Sequence, residues 1–85
     1  MVISSLVVET APDYTDAVAK QLVAYTGVEV HDVIEGYKIV ITIEAETVDA
    51  SHDLASELAL LTGVLNVQLV YVNFEDDKTI YPDGV

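Results

Sequence analysis

The chain contains no cysteine and no arginine, and its only cationic side chains are Lys20, Lys38 and Lys78. Without cysteine there are no disulfides, no zinc–thiolate sites and no thiol catalysis. Fifteen carboxylates stand against the three lysines, giving a formal net charge of −12. Nucleic acid is a poor partner for such a surface, because neutralising phosphates is what drives that binding. An acidic surface favours basic partners and speeds their encounter. It also keeps a small apolar domain soluble, and composition alone leaves both readings open. A long hydrophobic run is lacking as well. A membrane span needs about 20 apolar residues, and the best stretch, Leu58 to Val72, is interrupted by Thr62, Gly63, Asn66 and Gln68. No lysine or arginine precedes the first apolar run, and Glu9 follows it closely, so the start does not read as a secretory signal. These absences predict a soluble, cytoplasmic protein.

What is present is an ample apolar content, 52% of 85 residues, enough for the core of one small domain that buries about 60% of its unfolded surface. The chain also repeats itself. Thr26-Gly27-Val28 recurs as Thr62-Gly63-Val64, an offset of 36 residues. At that offset Ile3 falls on Ile39, Ser5 on Ile41, Val7 on Ile43, Val18 on Leu54, Leu22 on Leu58 and Tyr25 on Leu61. Each copy reads as strand, helix, strand. The first strand covers Val2 to Glu9. A turn at Thr10-Ala11-Pro12-Asp13 leads into a helix, with Asp13 as the expected cap and Asp16 near its positive end. Gly27 closes that helix. Val28 to Ile34 is a second strand, Glu35-Gly36 a tight hairpin turn, and Lys38 to Ala45 a third strand. The second helix runs from about Val48 to Thr62, capped by Thr47 or Asp49. Val64 to Phe74 is the fourth strand, with a bulge expected at Asn66. Residues 1–74 form the expected domain, and 75–85 an acidic tail expected to be mobile.

This order, βαββαβ, is that of an α+β, ferredoxin-like split βαβ sandwich. Right-handed crossovers put both helices on one face of a four-stranded antiparallel sheet in order 4-1-3-2. The repeat assigns Ile3, Val7, Ile39, Ile41 and Ile43 to the helix side, with Val18, Leu22, Leu54, Leu58 and Leu61 completing the core. The helix-free face is then expected to carry Ser4, Leu6, Val8, Glu29, His31, Val40, Thr42, Glu44, Gln68, Val70, Val72 and Phe74. That is more apolar surface than a face left to water normally shows. A homodimer through the sheet, or cover by the C-terminal tail, would also account for it.

Chemistry for catalysis is missing. His31 and His52 lie in different elements and at no ligand spacing. Glu75-Asp76-Asp77 lacks the glycine turn of a calcium loop. Ser4-Ser5 sit in a strand rather than a nucleophile elbow, and no glycine-rich phosphate loop exists. Strand one lacks the aromatics that RNA-binding domains of this topology stack on bases. The arginine of acylphosphatases and the paired cysteines of copper chaperones, both built on this fold, are absent too. The chain reads as a binding protein, not an enzyme, with no metal or cofactor expected.

Ser5-Leu6-Val7-Val8, Val28-Glu29-Val30, Ile43-Glu44-Ala45-Glu46 and Gly63 through Tyr71 together resemble the NapD family, from about Ile3 to Asp77. The resemblance implies a ferredoxin-like fold and a cytoplasmic chaperone of the periplasmic nitrate reductase. Such a chaperone binds the twin-arginine signal peptide of the catalytic subunit NapA and holds back export until the cofactor is inserted. The short hairpin Glu35-Gly36-Tyr37 departs from the family pattern. The residues expected to take the peptide are Leu6, Val8, Glu29, Val40, Thr42, Glu44, Val70 and Val72, with Glu9, Glu46 and Glu75–Asp77 as further acidic rim. An ACT-like small-molecule regulatory domain shares the element order and remains an alternative, as does a structural homodimer.

Overall fold

The computed structural model describes residues 1–73; Phe74 and the acidic tail lie outside the described residues. Four strands, β1 (Val2–Thr10), β2 (Val28–Ile34), β3 (Lys38–Ala45) and β4 (Val64–Asn73), form one sheet in the order β2-β3-β1-β4. All three pairings are antiparallel. Two helices, α1 (Thr15–Val23) and α2 (Val48–Leu58), cover one face. This is the expected α+β split βαβ sandwich.

Local chemistry sets the boundaries. The β2–β3 hairpin turns at Glu35 (φ 55°) and Gly36 (φ 79°), the two successive positive φ values that match the right-handed twist of the strands it joins. Thr47 caps α2, its Oγ1 accepting from the Ala50 N–H at 3.0 Å, which settles the choice against Asp49. Asp13 caps nothing. Pro12, with its fixed φ, opens a single 3-10 turn over Pro12–Tyr14 directly after extended Ala11, and Asp13 lies inside it. The second helix ends four residues before Thr62, since the Leu60 and Leu61 amides reach back only three residues, to the Glu57 and Leu58 carbonyls. A tightened turn of this kind ends an α-helix early.

The core holds Leu6, Val8, Val18, Leu22, Ile39, Ile41, Ile43 and Leu58, with Leu54 and Leu61 packed partly buried against it. Two buried hydroxyl pairs join the layers. Ser4 Oγ lies 2.9 Å from Ser51 Oγ, tying β1 to α2. Thr10 Oγ1 lies 2.7 Å from Thr15 Oγ1, which donates in turn to the Gly36 carbonyl at 3.0 Å. The start of α1 is thereby fastened to the hairpin. Among the described residues no buried side-chain nitrogen or oxygen lacks a partner.

The expected orientation of β1 is inverted. Val2, Ser4, Leu6, Val8 and Thr10 are buried toward the helices, whereas Ile3 and Val7 are only half-buried. Their cross-strand partners agree: Leu6 opposes Ile41 and Val8 opposes Ile39, while Val7 opposes Val40. Directly opposed residues share a face. The helices keep the 36-residue offset, with buried Leu22 matching buried Leu58, but the connections into them do not. The 3-10 turn at Pro12–Tyr14 has no counterpart before α2. An odd difference in that connection moves every side chain of the strand to the other face.

Candidate functional site

The helix-free face follows from this register. Its centre is the pair Val7–Val40, flanked by Ser5–Thr42 and then Ile3–Glu44 toward one end, and by Glu9–Lys38 toward the other. On the outer strands β4 adds Gln68 opposite Val7 and Tyr71 opposite Ser5, and β2 adds Glu29 opposite Thr42 and Asp32 opposite Val40. The result is a band of half-buried apolar side chains, Ile3, Val7 and Val40, crossed by hydroxyls and bounded by carboxylates.

The two ends of the face differ electrostatically. Toward the Gly27 end, Ile3, Gly27, Glu29, His31, Thr42 and Glu44 line a shallow hollow of ≈ 360 Å³. His31 has no partner on β3, because Val30 opposes Ile41 and Asp32 opposes Val40. Its Nε2 instead lies 2.8 Å from Thr42 Oγ1 and 3.7 Å from a Glu29 carboxylate oxygen. Gly27 makes the hollow possible. Its φ is +87°, and a Cβ there would stand 2.5 Å from the Glu44 carbonyl oxygen, while its own carbonyl accepts from the Glu44 N–H at 2.7 Å. At the opposite end Lys38 pairs with Glu35 at 3.3 Å and lies 5.4 Å from the Tyr37 ring centre. The Glu35 carboxylate raises the lysine's pKa above its ordinary 10.5. The hollow therefore gathers Glu29 and Glu44 with no lysine beside them among the described residues, whereas at the hairpin end Lys38 is set against Glu35 and Glu9.

Of the residues expected here, Glu29, Val40, Thr42 and Glu44 lie on this face. Leu6 and Val8 do not: they are core residues, inverted with the rest of β1. Val72 is also misplaced. β4 carries an extra residue between Leu69, opposite Leu6, and Tyr71, opposite Ser5. That bulge leaves Val70 without a β1 partner and turns Val72, opposite Ser4, toward α2. The bulge expected at Asn66 falls one residue earlier, at Leu65. Sequence reasoning missed Ile3, Val7 and Tyr71 as members of the face. One signal for them was available: Glu9 has the parity of Ile3, Ser5 and Val7, and a carboxylate under the helices would be costly.

A protein-family model described as NapD protein matches residues 1–76. The chain belongs to the NapD family. The solution structure of the E. coli Tat proofreading chaperone protein NapD is similar, with a TM-score of 0.76 and 27% sequence identity, covering 94% of this chain and 85% of that one. No curated protein sequence matches the chain. Membership of the NapD family sets aside the regulatory-domain alternative, which rested on element order and on the Gly-Val start of two strands. No helix among the described residues is long and apolar enough to cross a membrane.

Proposed function

We infer that this NapD-family protein is a cytoplasmic, non-catalytic chaperone that binds the twin-arginine signal peptide of a periplasmic nitrate reductase catalytic subunit. Binding takes place on the helix-free face and holds back export until the cofactor is inserted. The observation that carries the reading is the composition of that face: Ile3, Val7 and Val40 in a band, with Glu29 and Glu44 at one end. A signal peptide of this class has a basic start followed by an apolar stretch. The apolar band suits the second part and the acidic hollow the first, so the peptide's arginines would lie toward Glu29 and Glu44 and its apolar stretch over Val7 and Val40. Laying the apolar face of a helix into a shallow hydrophobic groove is a recurring mode of peptide recognition.

Magnitudes separate the two parts. Removing about 300 Å² of apolar surface from water is worth on the order of 8 kcal/mol gross, much of it lost to ordering the peptide and fixing two bodies. Exposed ion pairs contribute about 0–1 kcal/mol each, so the carboxylates chiefly set orientation and association rate. Calorimetry with the signal peptide, its arginine-to-lysine variant and a scrambled control tests the reading. Val40→Asp should abolish binding with the fold intact, while Glu44→Gln should weaken it modestly and flatten its salt dependence. Equal heat from native and scrambled peptides would overturn it.

A further inference from the structure

β4 has no charged residue from Val64 to Asn73, in a chain of formal charge −12. The other edge strand, β2, carries Glu29, His31 and Asp32, the kind of polar edge that discourages pairing with another chain. Among the described residues no strand pairs with the outer edge of β4. Its bulges at Leu65 and Val70 bracket a regular stretch in which Asn66, Val67, Gln68 and Leu69 oppose Glu9, Val8, Val7 and Leu6. Along that stretch no bulge interrupts the alternation of outer N–H and C=O groups.

Beside this edge, on the helix side, lies a groove between α2 and β4. Val48, Ala55, Leu69 and Val72 line its deeper part, ≈ 140 Å³, and it continues past Val67 and Ala59 for a further ≈ 250 Å³. Among the described residues no aspartate, glutamate or lysine lines either part, and His52 lines both. Leu69, at its mouth, is 57% exposed. The groove is on the opposite side of the sheet from the peptide face, so that reading does not account for it.

We propose that the β4 edge and this groove are the interface of a symmetric homodimer in which β4 pairs antiparallel with β4 of a second copy. Charge selects the occupant. Two chains of this net charge repel each other, and an approach edge to edge along β4 brings together a strand and groove linings that, among the described residues, hold no carboxylate. A basic partner, which the rest of the surface would attract, finds no counter-charge here. Geometry selects it too, since antiparallel pairing of a strand with its own copy is two-fold symmetric and closes after one partner. Parity then limits the register. Opposed residues must share a face, so the centre falls on Val67 or on Gln68. Centring on Gln68 sets Val67 of one copy against Leu69 of the other on the groove side, and joins the two grooves into one mainly apolar channel between the α2 helices, with His52 of each copy on its wall.

Sedimentation of the full chain over a wide concentration range tests this, with Leu69→Lys as the interface variant. The expected result is a mass rising from 9.2 kDa to twice that for the native chain and staying at the monomer value for Leu69→Lys. At concentrations where the native chain is monomeric the variant should share its denaturation midpoint, because Leu69 is more than half exposed, and it should keep its heat of signal-peptide binding. Hydrogen exchange on the native chain gives a second readout that needs no variant: within Asn66–Leu69 the alternate amides that point away from β1 should gain protection as concentration rises. A chain that stays monomeric to millimolar concentration would overturn the proposal. So would a dimer that survives Leu69→Lys but is lost in Val40→Asp, which would place self-association on the helix-free face.

Discussion

Substituting aspartate at two adjacent positions of β1 separates the faces of the sheet. Val8 has no exposed surface and opposes Ile39 within the core. Placing a carboxylate there forfeits about 1.5–3 kcal/mol of valine burial and adds roughly 1–3 kcal/mol for a buried polar group without partners, more while it is charged. The sum, about 2.5–6 kcal/mol, takes a large part of the ~5–15 kcal/mol that stabilises a domain. Val7 is half-buried on the helix-free face, opposite Val40 and Gln68. An aspartate there reaches water, and its cost should be about 1 kcal/mol, the usual scale of strand-surface substitutions. Urea denaturation followed by circular dichroism reads both. Acidity adds a signature. Burial raises the pKa of a carboxyl in the folded state above its unfolded value, so the folded state binds the proton more tightly. The penalty of Val8→Asp must then shrink as pH falls from 7 toward about 4, relative to the native chain at each pH. Equal midpoint shifts for Val7→Asp and Val8→Asp, or a larger one for Val7→Asp, would refute the register described here.

Leu58→Ala, at a fully buried position of α2, should cost about 2–5 kcal/mol, read as a lowered urea midpoint with little change in slope. Gly27→Ala should cost more than about 1 kcal/mol through positive-φ strain and the added Cβ against the Glu44 carbonyl; a neutral outcome would mean the Gly27–Glu44 approach is looser than drawn. The Lys38–Glu35 pair keeps the lysine protonated above its ordinary 10.5. Any stability the charged lysine adds through the pair is therefore present at neutral pH and lost as pH rises past that value. Lys38→Met should remove the corresponding alkaline loss in a pH titration of the denaturation midpoint.

Element order, strand pairing and both helices were legible because each rests on local chemistry that repeats. The same Thr-Gly-Val junction recurs after each helix, a Glu-Gly turn sits between two β-branched runs, and right-handed crossovers admit few arrangements. The face of β1 was not legible in the same way. Val2, Leu6 and Val8 compete with Ile3 and Val7, and Ser4 with Ser5, so a central strand with apolar residues on both sides carries almost no parity signal. The internal repeat broke the tie in the wrong direction, because its offset holds for helices and junctions but not across the 3-10 turn at Pro12–Tyr14. Leu6 and Val8 left the candidate face for that reason alone.

Irregularities in the outer strands decide what the two sheet surfaces can do. Without the extra residue at Val70, strict alternation from Gln68 would keep Val72 on the helix-free face; with it, Val72 joins Leu69 beside α2 and lends its apolar surface to the groove. In β2 the unpaired His31 plays the corresponding part, its ring reaching Thr42 and Glu29 at the rim of the acidic hollow. Bulges commonly re-aim side chains in this way. Hydrophobic periodicity cannot locate them, since adding one residue to a strand of valines and leucines leaves the composition of either face plausible. The unaltered centre, Val7 against Val40 with Ser5 against Thr42, is where the face stays regular. A peptide laid there meets a surface set by backbone register, and substitutions at Val7 or Val40 should change affinity with less effect on the fold than any change at a bulge.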